Sequence, residues 1–328
     1  MLTSPSALRH KGILGMNQRN VNYIARYNDR RLYPLVDDKL KTKLMARRHK
    51  VPTPELRFTV RSQHEVRQFE SRVRDLDGFA IKPAKGSGGK GIMIIERREG
   101  DNFIKPSGQA VQLRDITRHL SNIQAGLHSL GGTPDVALVE DLIRPVPFFQ
   151  DLSYEGVPDI RVIIFQGIPV MAMLRLAAHA SDGKANLHQG AVGIGLDLAT
   201  GRCVHAVQYG RRIVRHPDTN ADLLSIEIPD WYEMLLLAAE CHELTGLGYL
   251  GADLVVDRDR GPLMLELNAR PGLAIQVANG AGLLPRLKTV EALDLIPRDP
   301  EDRVAFAMEH FRRTPLIDKL DDARGPAS

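Results

Sequence analysis

The sequence predicts an α+β protein of two lobes, and three observations predict it. The chain has 328 residues, too many for one ordinary core. Hydrophobic residues make up 43% and charged residues 26%, the balance of a globular chain rather than a disordered one. Short strand-like runs are mixed with helical stretches along its length.

The elements follow in order. Residues 1–36 show no clear period. A helix is expected over 37–49, with Asp37 or Asp38 as cap and Leu40, Leu44 and Met45 on one face. Pro52 and Pro54 end it. A second, polar helix is expected over 63–76. Strands over 79–83 and 92–95 flank a glycine loop, a hairpin-like unit. Residues 100–134 read as polar and irregular, with a helix near 113–130. Strands are expected over 136–143, 161–165 and 169–174, and a polar loop rich in His, Asn and Gly over 178–189. The stripe Met234, Leu235, Ala238 and Leu244 marks a helix over 229–245, stopped by Gly246 and Gly248. Strands over 252–256 and 262–267 surround the turn at 257–261. One more helix is expected near 301–312. These elements divide as a short basic segment (1–36), a first lobe with the glycine loop (37–134), a second lobe (135–290) and a tail (291–328).

Composition removes several function classes. No stretch reaches the roughly 18 apolar residues of a transmembrane helix, and no apolar run follows Arg9 and Lys11 to make a signal peptide. Cys203 and Cys241 are too few for a disulfide framework or a zinc site. A cytoplasmic protein is therefore expected. Aromatics are 5% and Trp231 is the only tryptophan, which argues against stacked bases of single-stranded nucleic acid. Net charge is +4, but residues 1–50 hold twelve Lys/Arg against three Asp. Such a face can meet nucleic acid, a ribosome or an anionic substrate, or be a solvated helix surface, and the last is expected.

Two patterns carry chemistry. Gly86, Gly88 and Gly91 match G-x-G-x-x-G. A dinucleotide fingerprint needs a helix next, but Ile92-Met93-Ile94-Ile95 is strand. A P-loop is absent too. What fits is a glycine flap whose backbone N–H groups close over phosphates, with Lys82 in reach and Lys90 inside the loop. Farther on, Glu266 and Asn268 stand two apart in a strand and so share a face, with Met264 one step away on the same face. Asp253 in the neighbouring strand offers a third oxygen. Two carboxylates and an amide oxygen suit Mg²⁺, and no His or Cys joins them to suggest zinc. His179 and His188, nine apart, match no standard metal spacing.

In chain order come Asp38-Lys39-Leu40, Ile81-Lys82-Pro83, the loop from Gly86 to Gly91, Val139-Glu140-Asp141-Leu142, Asp159-Ile160-Arg161, Asn186-Leu187-His188-Gln189-Gly190, Gly251-Ala252-Asp253 and Glu266-Leu267-Asn268-Ala269-Arg270-Pro271-Gly272. This series resembles the ATP-grasp superfamily of carboxylate–amine ligases over residues 37–284. Within it the chain is most similar to RimK-type, alpha-L-glutamate ligase-like proteins.

The resemblance implies an ATP-grasp fold, two α+β lobes clasping ATP. It assigns Lys39 and Lys82 to the phosphates, beneath Gly86, Ser87, Gly88, Gly89, Lys90 and Gly91. It assigns Glu140, Asp141 and Leu142 to the adenine hinge and Asp159 to the ribose. Lys184, Asn186 and Arg175 fall near the reacting phosphate. Asp253, Glu266 and Asn268 become ligands of Mg²⁺, two ions with Mn²⁺ as a substitute. The implied reaction forms an acylphosphate from a carboxylate and ATP, and an amine then displaces phosphate. Lys82, Arg175 and Arg270 are its catalytic residues, Arg270 clamping a substrate carboxylate.

Glutamate, a peptide or an amino-sugar are the substrates such relatives suggest. Arg270 and Gln189 depart from the usual pattern, on the substrate side. Only 36 residues precede the Asp-Lys helix where RimK-type ligases carry a full domain, so a homo-oligomer or partner protein is expected. A non-catalytic nucleotide- or RNA-binding module and a kinase-like phosphoryl transfer are the alternatives; product mass separates the latter from a ligase.

Overall fold

The computed structural model describes residues 4–86, 88–154 and 156–313. They form two units, the smaller made of residues 37–48 and 53–144, the larger of residues 1–36, 49–52 and 145–328 as far as these are described.

The smaller unit holds β1 (Leu56–Val60), β2 (Phe79–Pro83), β3 (Met93–Ile95), β4 (Arg97–Glu99), β5 (Asn102–Ile104), β6 (Ala110–Val111) and β7 (Ala137–Glu140). β1, β7, β2 and β3 lie side by side in that order, each pair antiparallel. β7 is a central strand with all four residues buried. The expected lobe boundary at 134/135 thus moves to 144, because β7 takes its hydrogen bonds from β1 and β2. β4 to β6 make a three-stranded meander where the sequence reads as irregular.

Apolar periodicity builds this unit's core. Ile116, Leu120 and Ile123 of the helix Leu113–Gln124 repeat at helical spacing and are buried. They join Phe69, Phe79, Ile81, Ile95, Phe103 and Val139. Phe58, Phe69, Phe79 and Phe103 run edge to face, centroids 5.7 to 6.1 Å apart. The single helix expected over 63–76 is two, Gln63–Arg67 and Phe69–Arg72. Ser62 and Glu65 cap the first reciprocally. At Gln68 ψ falls to −2° and its N–H bonds to Glu65 three residues back, which breaks the α ladder.

The larger unit is a seven-stranded antiparallel sheet, ordered β12, β11, β10, β9, β8, β13, β14. These are β8 (Asp159–Phe165), β9 (Ile168–Leu176), β10 (Val192–Leu196), β11 (Cys203–Gln208), β12 (Arg211–Arg212), β13 (Tyr249–Asp257) and β14 (Gly261–Asn268). The helix Trp231–Thr245 packs on β8, β9, β13 and β14. Its end is the expected glycine cap: Gly246 takes φ +67° and its N–H reaches the His242 carbonyl. Trp231 Nε1 donates to the Leu198 carbonyl at 2.9 Å. In β10, a Cβ on Gly195 would lie 2.6 Å from Asn279 Cα, so glycine admits the helix Ala274–Asn279.

Residues 4–36 belong to this unit. They carry a helix Pro5–His10 and a continuous helical run from Met16 to Tyr27. Its middle, Arg19–Ile24, is a π-helix. The wider turn shifts the buried positions off a 3.6-residue repeat, which is why no period is visible there. Tyr23 and Tyr27 pack with Phe165 and Tyr249. Among the described residues no helix is long and apolar enough to cross a membrane. The tail beyond residue 313 lies outside the described residues.

Phe69→Ala removes the hub of the aromatic row. It should lower stability by about 3–5 kcal/mol, read as a lower urea midpoint by far-ultraviolet circular dichroism.

Candidate functional site

On the smaller unit, one buried carboxylate holds two lysines, and a third stands one helical turn away. Ala80 of β2 pairs with Glu140 of β7, and Lys82 stands two residues on, so Lys82 and Glu140 share a face and meet diagonally. Lys82 Nζ donates to Glu140 Oε2 at 2.8 Å. Lys43 Nζ lies 2.9 Å from the other oxygen, Oε1, and also donates to the Pro54 carbonyl. Glu140 is 3% exposed. Burial alone would raise its pKa, but the two ammonium groups outweigh burial and hold it below the ordinary value. Lys39, one helical turn before Lys43, donates from Nζ to the Gly86 carbonyl at 2.6 Å.

Sequence reasoning missed Lys43. Its i+4 spacing from Lys39 was the available signal.

The glycine loop follows directly. Gly88, Gly89 and Gly91 have φ of +62°, +75° and +76°, the left-handed region where glycine is at ease. A Cβ at Gly88 or Gly89 would meet nothing within 4 Å, and both residues are exposed. Gly91 is instead packed: its carbonyl accepts from His119 Nε2 at 2.9 Å, and the His128 ring lies where a Cβ would be. Lys90 is exposed. Ser87 lies outside the described residues. Beyond Glu140, the Asp141 carboxylate takes both an Nε and an NH2 bond from Arg57, and Leu142 packs beside Gly78.

On the larger unit, a row of charge crosses four strands. Asp159 pairs with Arg175, Arg161 with Asp253, and Asp253 with Glu266. Both Asp253 oxygens accept from the Arg161 fork. Arg175 bridges, donating from Nε to Asp159 and lying 2.9 Å from Asp253 through NH2. Burial pushes Asp253 up, yet Arg161 and Arg175 prevail and its pKa is lowered. At Asp159 burial wins: Arg175 offsets it in part, the charge of Asp253 adds to it, and the pKa is raised. Arg175 stays protonated. Arg161 escaped sequence reasoning as a site residue, although its position two after Asp159 places both on one face.

Glu266 and Asn268 flank the buried Leu267 and are half-buried. Met264 does not share their face. The register passes from Leu254–Met264 to Asp253–Glu266, so Leu265 is an extra bulge residue that reverses the alternation, and Met264 points into the core at 1% exposure. The donors Asp253, Glu266 and Asn268 are all oxygen, which fits a hard divalent cation in chemistry, with the Asp253 oxygens in the arginine embrace. Among the described residues no three His, Cys, Asp or Glu cluster as a metal site.

The remaining expected residues lie elsewhere on the larger unit. Lys184 is exposed and pairs with Asp182 at 2.8 Å. Asn186 caps the turn Leu187–Gln189, accepting from the His188 N–H. Arg270 is exposed, its guanidinium 5.1 Å from the Tyr33 ring centroid, and its N–H donates to Asn268 Oδ1 at 2.8 Å.

A family model described as sugar-transfer associated ATP-grasp matches residues 18–292. No curated protein matches the chain significantly. Among solved structures, the D-cycloserine synthetase DcsG is 16% identical with a TM-score of 0.46, over 85% of this chain and 73% of that one. The ATP-grasp ligase PsnB, solved with a minimal precursor, is 16% identical with a TM-score of 0.43, over 81% of this chain and 63% of its own length. A D-alanine–D-alanine ligase from Bacillus anthracis, solved with ATP, is 14% identical with a TM-score of 0.44, over 90% and 71%. Likeness at that level carries no functional argument.

Because the folded pKa of Glu140 is depressed, its ionised form stabilises above the ordinary carboxylate range, and that contribution is lost as pH falls through the folded value. Glu140→Gln should therefore cost about 3–5 kcal/mol at neutral pH and much less in acid. Urea midpoints of both proteins along a pH series from neutral to acid check this.

Proposed function

The chain belongs to the sugar-transfer associated ATP-grasp family, and on that premise we propose that it is an ATP- and Mg²⁺-dependent ligase joining a carboxylate to an amine. One observation carries the reading. Two lysines, Lys82 and Lys43, close on a single buried carboxylate, and a third, Lys39, is tied to the Gly86 carbonyl at the start of an exposed glycine loop. Such a cluster keeps surplus positive charge in place for phosphate oxygens. With Glu140 ionised, Lys82 and Lys43 are held in position rather than left to wave in solvent.

The chemistry asks for charge and placement more than for a protein nucleophile. A substrate carboxylate oxygen attacks the γ-phosphorus of ATP, ADP departs, and an acylphosphate results. The amine nitrogen then attacks the acyl carbon, phosphate departs, and the nitrogen loses its proton. Lys39, Lys82 and the N–H groups of Gly88 and Gly89 are assigned to the ATP phosphates. Arg175 is assigned to the acylphosphate. Asp253, Glu266 and Asn268 would hold the divalent cation, which supplies Lewis-acid charge neutralisation.

No cysteine is needed: Cys203 and Cys241 are buried free thiols, and burial raises the pKa of both. Two buried unpaired thiols also suit a reducing compartment such as the cytoplasm.

Part of the basic N-terminal charge is spent internally. Arg19 bonds to a carbonyl, Arg26 faces Glu291, Arg31 pairs with Asp29, and Lys39 and Lys43 serve the lysine cluster. That weighs against an RNA-binding module. A RimK-type enzyme taking glutamate is the narrower reading, supported by the run Asn186 to Gly190. An amino-sugar is an alternative that accords with the sugar-transfer association of the family, and a peptide amine is another.

ADP release should be stimulated by one acid–amine pair from a panel that includes glutamate and amino-sugars, with a product mass of the two substrates less water. Glu266→Ala should cut that rate about 100-fold, a loss of roughly 3 kcal/mol. An unchanged rate in Glu266→Ala, or a product heavier by phosphate, overturns the proposal.

A further inference from the structure

The four residues from Ala269 to Gly272 follow β14 beyond its last ladder pair, Gly251 with Asn268, yet two of their carbonyls, of Ala269 and Pro271, are bonded within the protein. Side chains from the N-terminal segment meet them. Asn28 is 3% exposed. Its Nδ2 donates to the Tyr249 carbonyl at 2.7 Å and to the Ala269 carbonyl at 3.0 Å, and its Oδ1 accepts from the Tyr249 N–H at 2.8 Å. One amide thus ties the first residue of β13 to the residue just past β14, with both of its donors used.

Arg19 adds a second tie, donating from NH1 to the Pro271 carbonyl at 2.8 Å. The rest of its fork is held by Asn20 Oδ1 at 3.1 and 2.8 Å. Among the described residues no carboxylate pairs with Arg19, so its bonds go to neutral oxygens. The Tyr33 ring supports Arg270 from the same segment. From the sheet side, a Cβ on Gly251 would lie 2.7 Å from Pro271 Cβ, so the loop folds closely over β13.

We propose that Arg19 and Asn28 are positioning residues, fixing the Asn268–Gly272 backbone so that Asn268 and Arg270 present their side chains for the divalent cation and the anionic substrate. This rests on the function proposed above. Two carbonyls, of Ala269 and Pro271, bracket Arg270. Fixing both sets the Ala269–Arg270 peptide plane and, one residue on, the Pro271–Gly272 plane, and the Arg270 N–H, which lies in the first of these, then orients Asn268 Oδ1. A loop without such ties samples many conformers, at a cost in backbone entropy when it orders, and loses alignment. Groups that orient a ligand from outside typically change metal affinity about 10- to 100-fold when removed.

The test uses the full chain with Mn²⁺ and ADP as probes. Free Mn²⁺ is followed by electron paramagnetic resonance, and amide exchange is followed in peptides spanning residues 265–276. Arg19→Met should weaken Mn²⁺ binding in the presence of ADP about 10-fold and speed exchange at Ala269, Arg270 and Gly272. The melting temperature and ADP affinity without metal should hold. Arg19→Lys keeps a donor for Pro271 and should recover most of the affinity. Asn28→Asp loses both donors and should show the larger effect; the Arg19 pair keeps the test decisive should that variant not fold. Equal Mn²⁺ affinity in wild type and Arg19→Met overturns the positioning role while leaving the ligase reading intact. Affinity and melting temperature falling together, without rescue by lysine, also overturn it, as a structural role alone would. Failure of the wild type to bind Mn²⁺ with ADP overturns the ligase reading itself, and this inference with it.

Discussion

A carboxylate taken out of water must be met by positive charge, and both sheets of this protein are arranged around that need. Glu140 on one sheet and Asp253 on the other are 3% and 7% exposed. Each is kept ionised by two cations that approach its two oxygens. An unmet carboxylate in such a place would protonate instead. The strand register delivers the partners: a diagonal pair across β2 and β7, and directly opposed pairs across β8, β9 and β13. Pairing of this kind is weak as a source of net stability. Its value lies in fixing long, flexible side chains at one place.

That constraint explains what was legible in the sequence. Lys82, the glycines and the Glu266–Asn268 pair lie in short contiguous motifs, so their chemistry shows without a fold. Asp253 was legible as an acid on a neighbouring strand. Its arginine partners were not, because register across three strands joins residues up to 92 apart in sequence. Lys43 was hidden for the same reason: its partner stands on β7, across the whole unit in sequence. Asp141 and Asn186 show the converse. Their motif positions were visible, while the jobs their side chains hold, an ion pair with Arg57 and a turn cap, depend on neighbours that no motif names.

The secondary structure follows the same rule. Helices with apolar stripes, Leu113–Gln124 and Trp231–Thr245, and strands with strong runs, β2, β8 and β9, were visible and differ from the expectation mainly at their ends. β1, β4 to β6 and β10 to β12 are short or glycine-bearing and exist through their partners. The π-turn in residues 19–24 and the bulge at Leu265 are each one residue out of phase. A single inserted residue defeats periodic reasoning while leaving the packing sound. In both places the slip lies close to residues proposed above for the site, Arg19 and Glu266.

The aromatic residues are distributed unevenly between the units. Trp231 and all seven tyrosines fall in the larger unit, whereas the smaller has phenylalanine alone. Above 290 nm the smaller unit is optically silent. Intrinsic fluorescence of the native protein therefore reports the sheet that carries Asp253 and nothing of the lysine cluster. The silence also makes room for a label. A single tryptophan introduced near the glycine loop, in a background with Trp231 replaced by phenylalanine, would shine from that unit alone, and every change in its colour would belong to the lysine cluster and its loop.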